Sequence, residues 1–168
     1  MVNSDRKSIS LIGMPGAGKS TIAKYINQIS DFTNIEVDEL IETIHHQTLY
    51  ALISSVGEET FKLLEETAIL GIDTNNKNVI STGGSVIYSD LSMKHLSKTL
   101  IIYLKCNFET IKNRTENFTN RAIVFNGLTP LELYHERDVL YTKYSDIVID
   151  ATNLAIGEIA ELIINLLK

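Results

Sequence analysis

Residues 9–20 read ISLIGMPGAGKS, and this stretch decides the fold. Its apolar first part, residues 9–12, is typical of a buried strand, and the one-sided apolar spacing of residues 19–29 is typical of a helix. Between them, residues 13–20 match the pattern G-x-x-x-x-G-K-[S/T] at every position. We call residues 13–20 the phosphate loop.

The phosphate loop has the residue types that a bound triphosphate needs. Glycines let successive backbone N–H groups curl around a phosphate, and the helix that follows directs its positive end at the same anion. Lys19 is expected to reach the β- and γ-phosphates, and the Ser20 hydroxyl is expected to coordinate Mg²⁺. The loop therefore predicts binding of a nucleoside triphosphate, but it does not distinguish transfer to an acceptor from hydrolysis. The predicted nucleotide-binding residues here are Gly13, Gly16, Ala17, Gly18, Lys19, Ser20 and Thr21.

Strand-like and helix-like segments alternate along the rest of the chain. Further strands are predicted at residues 35–37, 79–80, 99–104 and 147–149. Further helices are predicted at residues 40–53, 58–72, 108–115, 130–144 and 156–167, with a polar loop at 116–129. This alternation predicts a single α/β domain over residues 1–168, with a parallel sheet between two layers of helices. Ligands of such sheets bind beyond the carboxyl ends of the strands.

Composition and charge exclude several classes of function. The chain has 168 residues with 15 Lys+Arg against 21 Asp+Glu, which gives a net charge of −6. This charge argues against a nucleic-acid binder with a broad basic face. Cys106 is the one cysteine, so neither an internal disulfide nor a zinc site with cysteine spacing is expected. The polar start and the short apolar runs predict no signal peptide, no membrane contact and a cytoplasmic location.

Five short pieces follow the phosphate loop in an order that points to one family. They are Glu36-Val37-Asp38, Phe61-Lys62-Leu63-Leu64-Glu65, Gly83-Gly84-Ser85, the pair Arg114 and Arg121, and Arg137-Asp138-Val139-Leu140-Tyr141. With the phosphate loop, these pieces resemble the shikimate kinase family over nearly the whole chain. The resemblance implies a P-loop kinase with a five-stranded parallel sheet in the order 2-3-1-4-5. It also implies a monomer that uses ATP and Mg²⁺, with a mobile lid at approximately residues 114–128.

The resemblance also implies a role for each matching residue. Glu36 would hold Mg²⁺ beside Ser20, and Asp38 would orient the attacking hydroxyl of the acceptor. An N-cap of the following helix is the alternative role for either carboxylate. Arg121 would reach the transferring phosphoryl group, and Arg114 would stack on adenine, although a cation at a helix end would also explain Arg114. The implied catalytic residues are Lys19, Asp38 and Arg121, and the implied acceptor-binding residues are Asp38, Lys62, Gly83, Gly84, Ser85 and Arg137.

The acceptor site departs from the family pattern at two positions. Lys62 replaces an arginine and so loses the two-pronged fork that suits a carboxylate. Ser85 replaces a third glycine. The serine keeps the backbone N–H, but it disfavours a positive φ and adds a hydroxyl to the pocket wall. Glu65 supports the adjacent basic residue in the family, but a solvated helix face is an alternative position for it.

These departures leave three functions open. The chain is a divergent shikimate kinase, a kinase of similar architecture for another small polyol or hydroxy-acid, or a weakly catalytic nucleotide-binding regulator. Retention of Lys19, Ser20, Asp38 and Arg121 argues against the third function. The resemblance favours the first.

Overall fold

The fold is built on one parallel sheet, seen in a computed structural model that describes residues 6–118 and 122–166. The strands are β1 (Ile9–Ile12), β2 (Thr33–Glu36), β3 (Asn78–Ser81), β4 (Leu100–Lys105) and β5 (Ile147–Asp150). They are hydrogen-bonded in the order β2-β3-β1-β4-β5, and every neighbouring pair is parallel. The predicted fold class and strand order are confirmed.

Helices cover both faces of this sheet. They are α1 (Lys19–Ile29), α2 (Val37–His45), α3 (Leu49–Leu70), α4 (Asp90–Leu96), α5 (Phe108–Arg114), α6 (Pro130–Tyr144) and α7 (Ile156–Asn165). Two short 3-10 helices, Val86–Tyr88 and Glu116–Phe118, complete the described structure. Thr129 caps α6 in a capping box with Glu132, and Pro130 occupies the first turn of the helix. Within the described ranges, no helix is both long and apolar enough to cross a membrane.

The hydrophobic core lies on the central strands. Every residue of β1 and β3 is buried, which is expected of strands that have helices on both faces. The apolar face of α1, with Ile22, Ala23 and Ile26, is buried, as the sequence spacing predicts. This packing fixes the start of α1, and with it the phosphate loop, at the carboxyl edge of the sheet.

Two boundaries near the site differ from the predicted ones. The predicted strand at residues 35–37 ends at Glu36, because Val37 already begins α2, so Asp38 lies in the first helical turn. The predicted helix at residues 40–53 is wrong, since α2 ends at His45 and His46 takes a left-handed φ of 54°. The third helix then begins at Leu49 and continues through Gly57, where a φ of 80° marks a kink. Together these corrections divide the predicted helix between α2 and the start of α3, with a break at His46.

Candidate active site

A cleft of about 840 Å³ opens at the carboxyl ends of β1 and β3. The phosphate loop forms one side, and residues of α2, α3, α6, α7 and the turn after β3 contribute to the other sides. Most of the predicted site residues line it. They are Gly16, Ala17, Gly18, Lys19, Ser20, Thr21, Asp38, Gly83, Gly84, Ser85, Arg114 and Arg137. Arg121 lies outside the described residues.

The phosphate loop has a backbone that only glycine adopts without strain. Gly13, Gly16 and Gly18 have φ values of 144°, 85° and 96°. A Cβ at Gly13 would lie 2.7 Å from the Leu104 carbonyl oxygen of β4, so Gly13 packs against the sheet instead of the cleft. Lys19 is 8% exposed, and its ammonium group donates to the carbonyl oxygens of Gly13 (2.7 Å) and Met14 (3.0 Å). These bonds hold the positive charge inside the curve of the loop, where a phosphate would lie.

Oxygen donors for a hard cation lie next to the phosphate loop. The Ser20 Oγ is 3.3 Å from the Ser81 Oγ, and Ser81 is paired with Glu36 across β2 and β3. Asn34 donates to the Glu36 carboxylate at 3.3 Å. The described residues hold no group of three or more His, Cys, Asp or Glu side chains that could bind a metal by themselves. A hydroxyl and a carboxylate suit Mg²⁺, which usually keeps several waters and binds through one or two carboxylates and the substrate phosphates.

Gly83 and Gly84 form the glycine turn, which brings the acceptor-site residues together. A Cβ at Gly84 would lie 2.8 Å from Arg137 Nη1 and 3.0 Å from Cδ of Pro15 in the phosphate loop. Arg137 is 1% exposed, and its Nη2 donates to the Val124 carbonyl oxygen at 2.5 Å while its Nε donates to the Tyr88 hydroxyl at 3.3 Å. The guanidinium group is thereby fixed against the glycine turn, within reach of both the turn and the phosphate loop.

Two carboxyl groups lie on the other side of the glycine turn. A Cβ at Gly83 would be 3.2 Å from Asp38 Oδ1 and only 2.1 Å from Glu65 Oε1, which explains why this position has no side chain. Glu65 is 2% exposed, so the alternative of a solvated helix face is wrong for this residue. The Ser85 hydroxyl donates to Glu65 Oε2 at 2.5 Å. Burial raises the pKa of Glu65 to about 7, and the negative charge of Asp38 adds to this rise. The hydrogen bond from Ser85 lowers the pKa and offsets part of the effect.

Ser85 adopts its position without backbone strain. Its φ of −91° and ψ of −6° are ordinary values, so the expected conflict with a positive φ does not arise. The added hydroxyl is directed at Glu65. Sequence reasoning predicts a change of the pocket wall here, but it does not find this bond.

Lys62 lies beside the cleft in a small separate groove that it shares with Tyr88. Its Nζ donates to Glu59 Oε1 at 2.5 Å and to Asn126 Oδ1 at 3.3 Å, and it lies 5.7 Å from the centre of the Tyr88 ring. The structure therefore does not bring Lys62 to the cleft lining with Arg137. Lys62 and Glu65 line this same groove, but the hydrogen bond of Glu65 is to Ser85 instead.

Both ends of the predicted lid make polar contacts with other parts of the structure. Arg114 ends α5 and its Nη1 donates to the Gly16 carbonyl oxygen at 3.4 Å, which places it against the phosphate loop. Glu58, which sequence reasoning missed, accepts hydrogen bonds from the backbone N–H groups of Phe125 and Asn126, both at 2.9 Å. No motif signals Glu58, because it lies within an ordinary helical stretch of α3. Its carboxylate anchors the segment that precedes α6.

Known proteins resemble this chain over almost its full length. The family model described as shikimate kinase matches residues 15–168. A shikimate kinase of Staphylococcus aureus (strain MSSA476) is 32% identical over 170 residues, covering 99% of this chain and 97% of the relative. A shikimate kinase of Thermodesulfovibrio yellowstonii is 36% identical over 162 residues, covering 94% and 93%. The solved structure of a shikimate kinase from Acinetobacter baumannii in complex with shikimate has a similar fold, with a TM-score of 0.85 at 23% identity and coverage of 97% and 93%. On its phosphate loop, its ordered set of site residues and these matches, the chain belongs to the shikimate kinase family.

Proposed function

We propose that this protein transfers the γ-phosphate of ATP to a hydroxyl of shikimate, giving ADP and shikimate 3-phosphate for aromatic amino-acid biosynthesis. One observation carries the choice of acceptor. A buried guanidinium, that of Arg137, packs against Gly84 beside Pro15 of the phosphate loop. A cation for a carboxylate thus lies next to the site for the transferred phosphate, as a small acceptor with one carboxylate and nearby hydroxyls requires.

ATP would bind along the phosphate loop. Backbone N–H groups and the start of α1, from Gly16 to Thr21, would hold the phosphates, and Lys19 would leave its loop carbonyls to meet the β- and γ-phosphates. Arg114 would lie on the adenine, and Ser20 and Glu36 would hold Mg²⁺. When bound, Mg²⁺ supplies neutralisation of the charge that develops on the phosphate oxygens.

The acceptor would lie between Asp38 and Arg137. Asp38 would accept a hydrogen bond from the attacking hydroxyl and orient it towards the γ-phosphate. Arg137 and the backbone of Gly83, Gly84 and Ser85 would hold the carboxylate, and Lys62 would join them only after leaving Glu59 and Asn126. Arg121 would stabilise the transferring phosphoryl group as the lid, residues 114–128, closes and excludes water.

The position of Lys62 supports one alternative acceptor class. Because its ammonium group is bound outside the cleft, the site has fewer cations for a carboxylate than the family pattern implies. A small polyol, which has no carboxylate, would fit a site of that kind better than another hydroxy-acid.

An acceptor screen tests the proposed function. Purified protein with ATP and Mg²⁺ is given shikimate or one of a panel of related alcohols, and ADP and the phosphorylated product are both measured. Turnover that depends on shikimate is the expected result. Turnover with another alcohol alone would replace the acceptor, and nucleotide binding without any turnover would point to a regulator. The monomeric state, the cytoplasmic location and the lack of nucleic-acid partners stay predictions.

A further inference from the structure

The buried carboxyl of Glu65 has an unusual set of partners. Its Oε2 accepts the short bond from the Ser85 hydroxyl, while its Oε1 has no hydrogen-bond partner in the described part of the chain. Lys62, one turn earlier on α3, is engaged with Glu59 and Asn126. A buried carboxylate without a contacting cation is costly to keep ionised, so protonation is the alternative state of such a group.

The carboxyl lies where an acceptor carboxylate would meet its cation. Gly83 lies against Glu65 Oε1, and the adjacent Gly84 lies against Arg137 Nη1, so both charged groups flank one two-residue turn. Their charges also influence each other, since Arg137 favours ionisation of Glu65 and Glu65 favours the charged form of Arg137. The titratable and charged groups that face Glu65 are Lys19 of α1, Asp38 of α2, and Arg137 and Tyr141 of α6.

We propose that Glu65 is a specificity-determining residue for acceptors that carry a carboxylate, and that Ser85 is the residue that positions it. This inference rests on the proposed function of the same site. Neutral Glu65 leaves Arg137 available to the acceptor carboxylate. Ionised Glu65 repels that carboxylate across the glycine turn and competes with it for the guanidinium.

The consequence is a pH dependence of acceptor affinity. A pKa of Glu65 of about 7 means that the group changes from mostly neutral at pH 6 to mostly ionised at pH 8. If ionisation weakens binding about tenfold, as for like charges several ångströms apart, the apparent acceptor KM rises about fivefold between those pH values. The acceptor carboxylate itself is already ionised throughout this range, with an ordinary pKa of about 4.

The experiment measures shikimate KM and kcat at saturating ATP and Mg²⁺ between pH 5.5 and 9, with shikimate binding followed in parallel by calorimetry. Wild type, Glu65→Gln and Ser85→Ala are compared. The KM of the wild type is expected to rise above pH 7, with a midpoint within about one pH unit of that value. In Glu65→Gln, which keeps the shape and the Ser85 contact, that rise is expected to disappear. In Ser85→Ala the midpoint is expected to move to higher pH, because the lost hydrogen bond favours the ionised form.

A neighbouring pair provides the matched control. The Ser89 hydroxyl donates to Glu66 at 2.5 Å, one residue further along α3, and Glu66 lies outside the main cleft. Glu66→Gln should leave the wild-type KM profile in place. Titration of ATP acts equally in wild type and Glu65→Gln, so it cancels from the ratio of their KM values.

The outcomes separate this inference from the proposed function. Shikimate turnover with parallel KM profiles in wild type and Glu65→Gln would overturn the inference and leave the function standing. Binding with the expected pH dependence but without turnover would overturn the function and support the inference. A shikimate affinity that is undetectable at every pH would overturn both.

Discussion

The Gly84→Ala variant tests how closely the glycine turn packs against its neighbours. The added methyl group would lie 2.8 Å from Arg137 Nη1 and 3.0 Å from Pro15 Cδ, where ordinary contacts begin at 3.4 Å. Neither neighbour is free to retreat. Arg137 is buried and bonded to the Val124 carbonyl oxygen and the Tyr88 hydroxyl, and Pro15 belongs to the constrained phosphate loop.

The size of the effect follows from these distances. Relief of the closest contact requires a shift of the guanidinium by about 0.6 Å, which is enough to misalign a charge-assisted hydrogen bond to an acceptor carboxylate. Loss of one such bond costs about 1.5–3 kcal/mol, so the acceptor KM should rise by about tenfold to a hundredfold. Overpacking should also lower the free energy of unfolding by about 1–3 kcal/mol, and each kcal/mol lowers Tm by about 2–4 °C in a chain of this size.

Steady-state kinetics with shikimate and thermal unfolding measure the two effects separately. Gly157→Ala is the matched control, because a Cβ there would meet only Tyr25, with Oη the nearest atom at the ordinary distance of 3.5 Å. It should leave KM unchanged and either preserve Tm or raise it slightly. An acceptor KM in Gly84→Ala within about twofold of wild type would refute the assignment of this turn and Arg137 to the acceptor site.

Three further predictions follow from other contacts. Burial raises the pKa of Glu65 to about 7 from an ordinary 4.5, so between those pH values the folded state holds a proton that the unfolded state has lost, and stability falls as pH rises. Glu65→Gln should therefore raise Tm relative to wild type at pH 8 but not at pH 4, and an equal gain at both would contradict this. Arg137→Lys should raise the shikimate KM by about tenfold through loss of the planar fork, whereas Lys62→Ala should change it less than about threefold, and the reverse order in kinetic assays would assign the carboxylate to Lys62. Thr129→Ala removes the cap of α6 and should lower the free energy of unfolding by about 1 kcal/mol in thermal melts, and an unchanged Tm would show that the capping box adds nothing.

Most element positions are confirmed because strong periodicity signals them. The strand order, which only the family resemblance implied, is confirmed as well. The exceptions are places where local patterns compete. Val37 is apolar and β-branched, which favours a strand, yet it begins α2 because its buried side chain packs in the core from a helical position. The break at His46 is missed because apolar residues continue on both sides of it. The seven-residue α4 is too short and too rich in polar residues for its periodicity to be seen.

The site is predictable in its membership but not in its pairings. The phosphate loop and most of the short motifs that follow it contribute residues to one cleft. Their positions are predictable because these motifs lie at or near the carboxyl ends of strands. Which way a long side chain turns depends on partners far along the chain. Lys62 donates to Asn126, and Glu58 accepts from the backbone N–H of Phe125. No local sequence pattern indicates either contact.

The two departures from the family pattern in the acceptor site, Lys62 and Ser85, both concern the hydrogen-bond partner of one carboxyl group, that of Glu65. In the family, the basic residue after phenylalanine is supported by the glutamate that here is Glu65. In this chain Lys62 is bonded elsewhere, and the Ser85 hydroxyl is the partner of Glu65. Gly83 and Gly84 must remain glycines because neighbours occupy the space of a side chain, whereas Ser85 has an ordinary φ and room for its hydroxyl. Since this exchange of partners leaves Arg137 and the glycine turn in place, it favours a retained shikimate site and predicts that any difference from relatives lies in how acceptor affinity depends on pH.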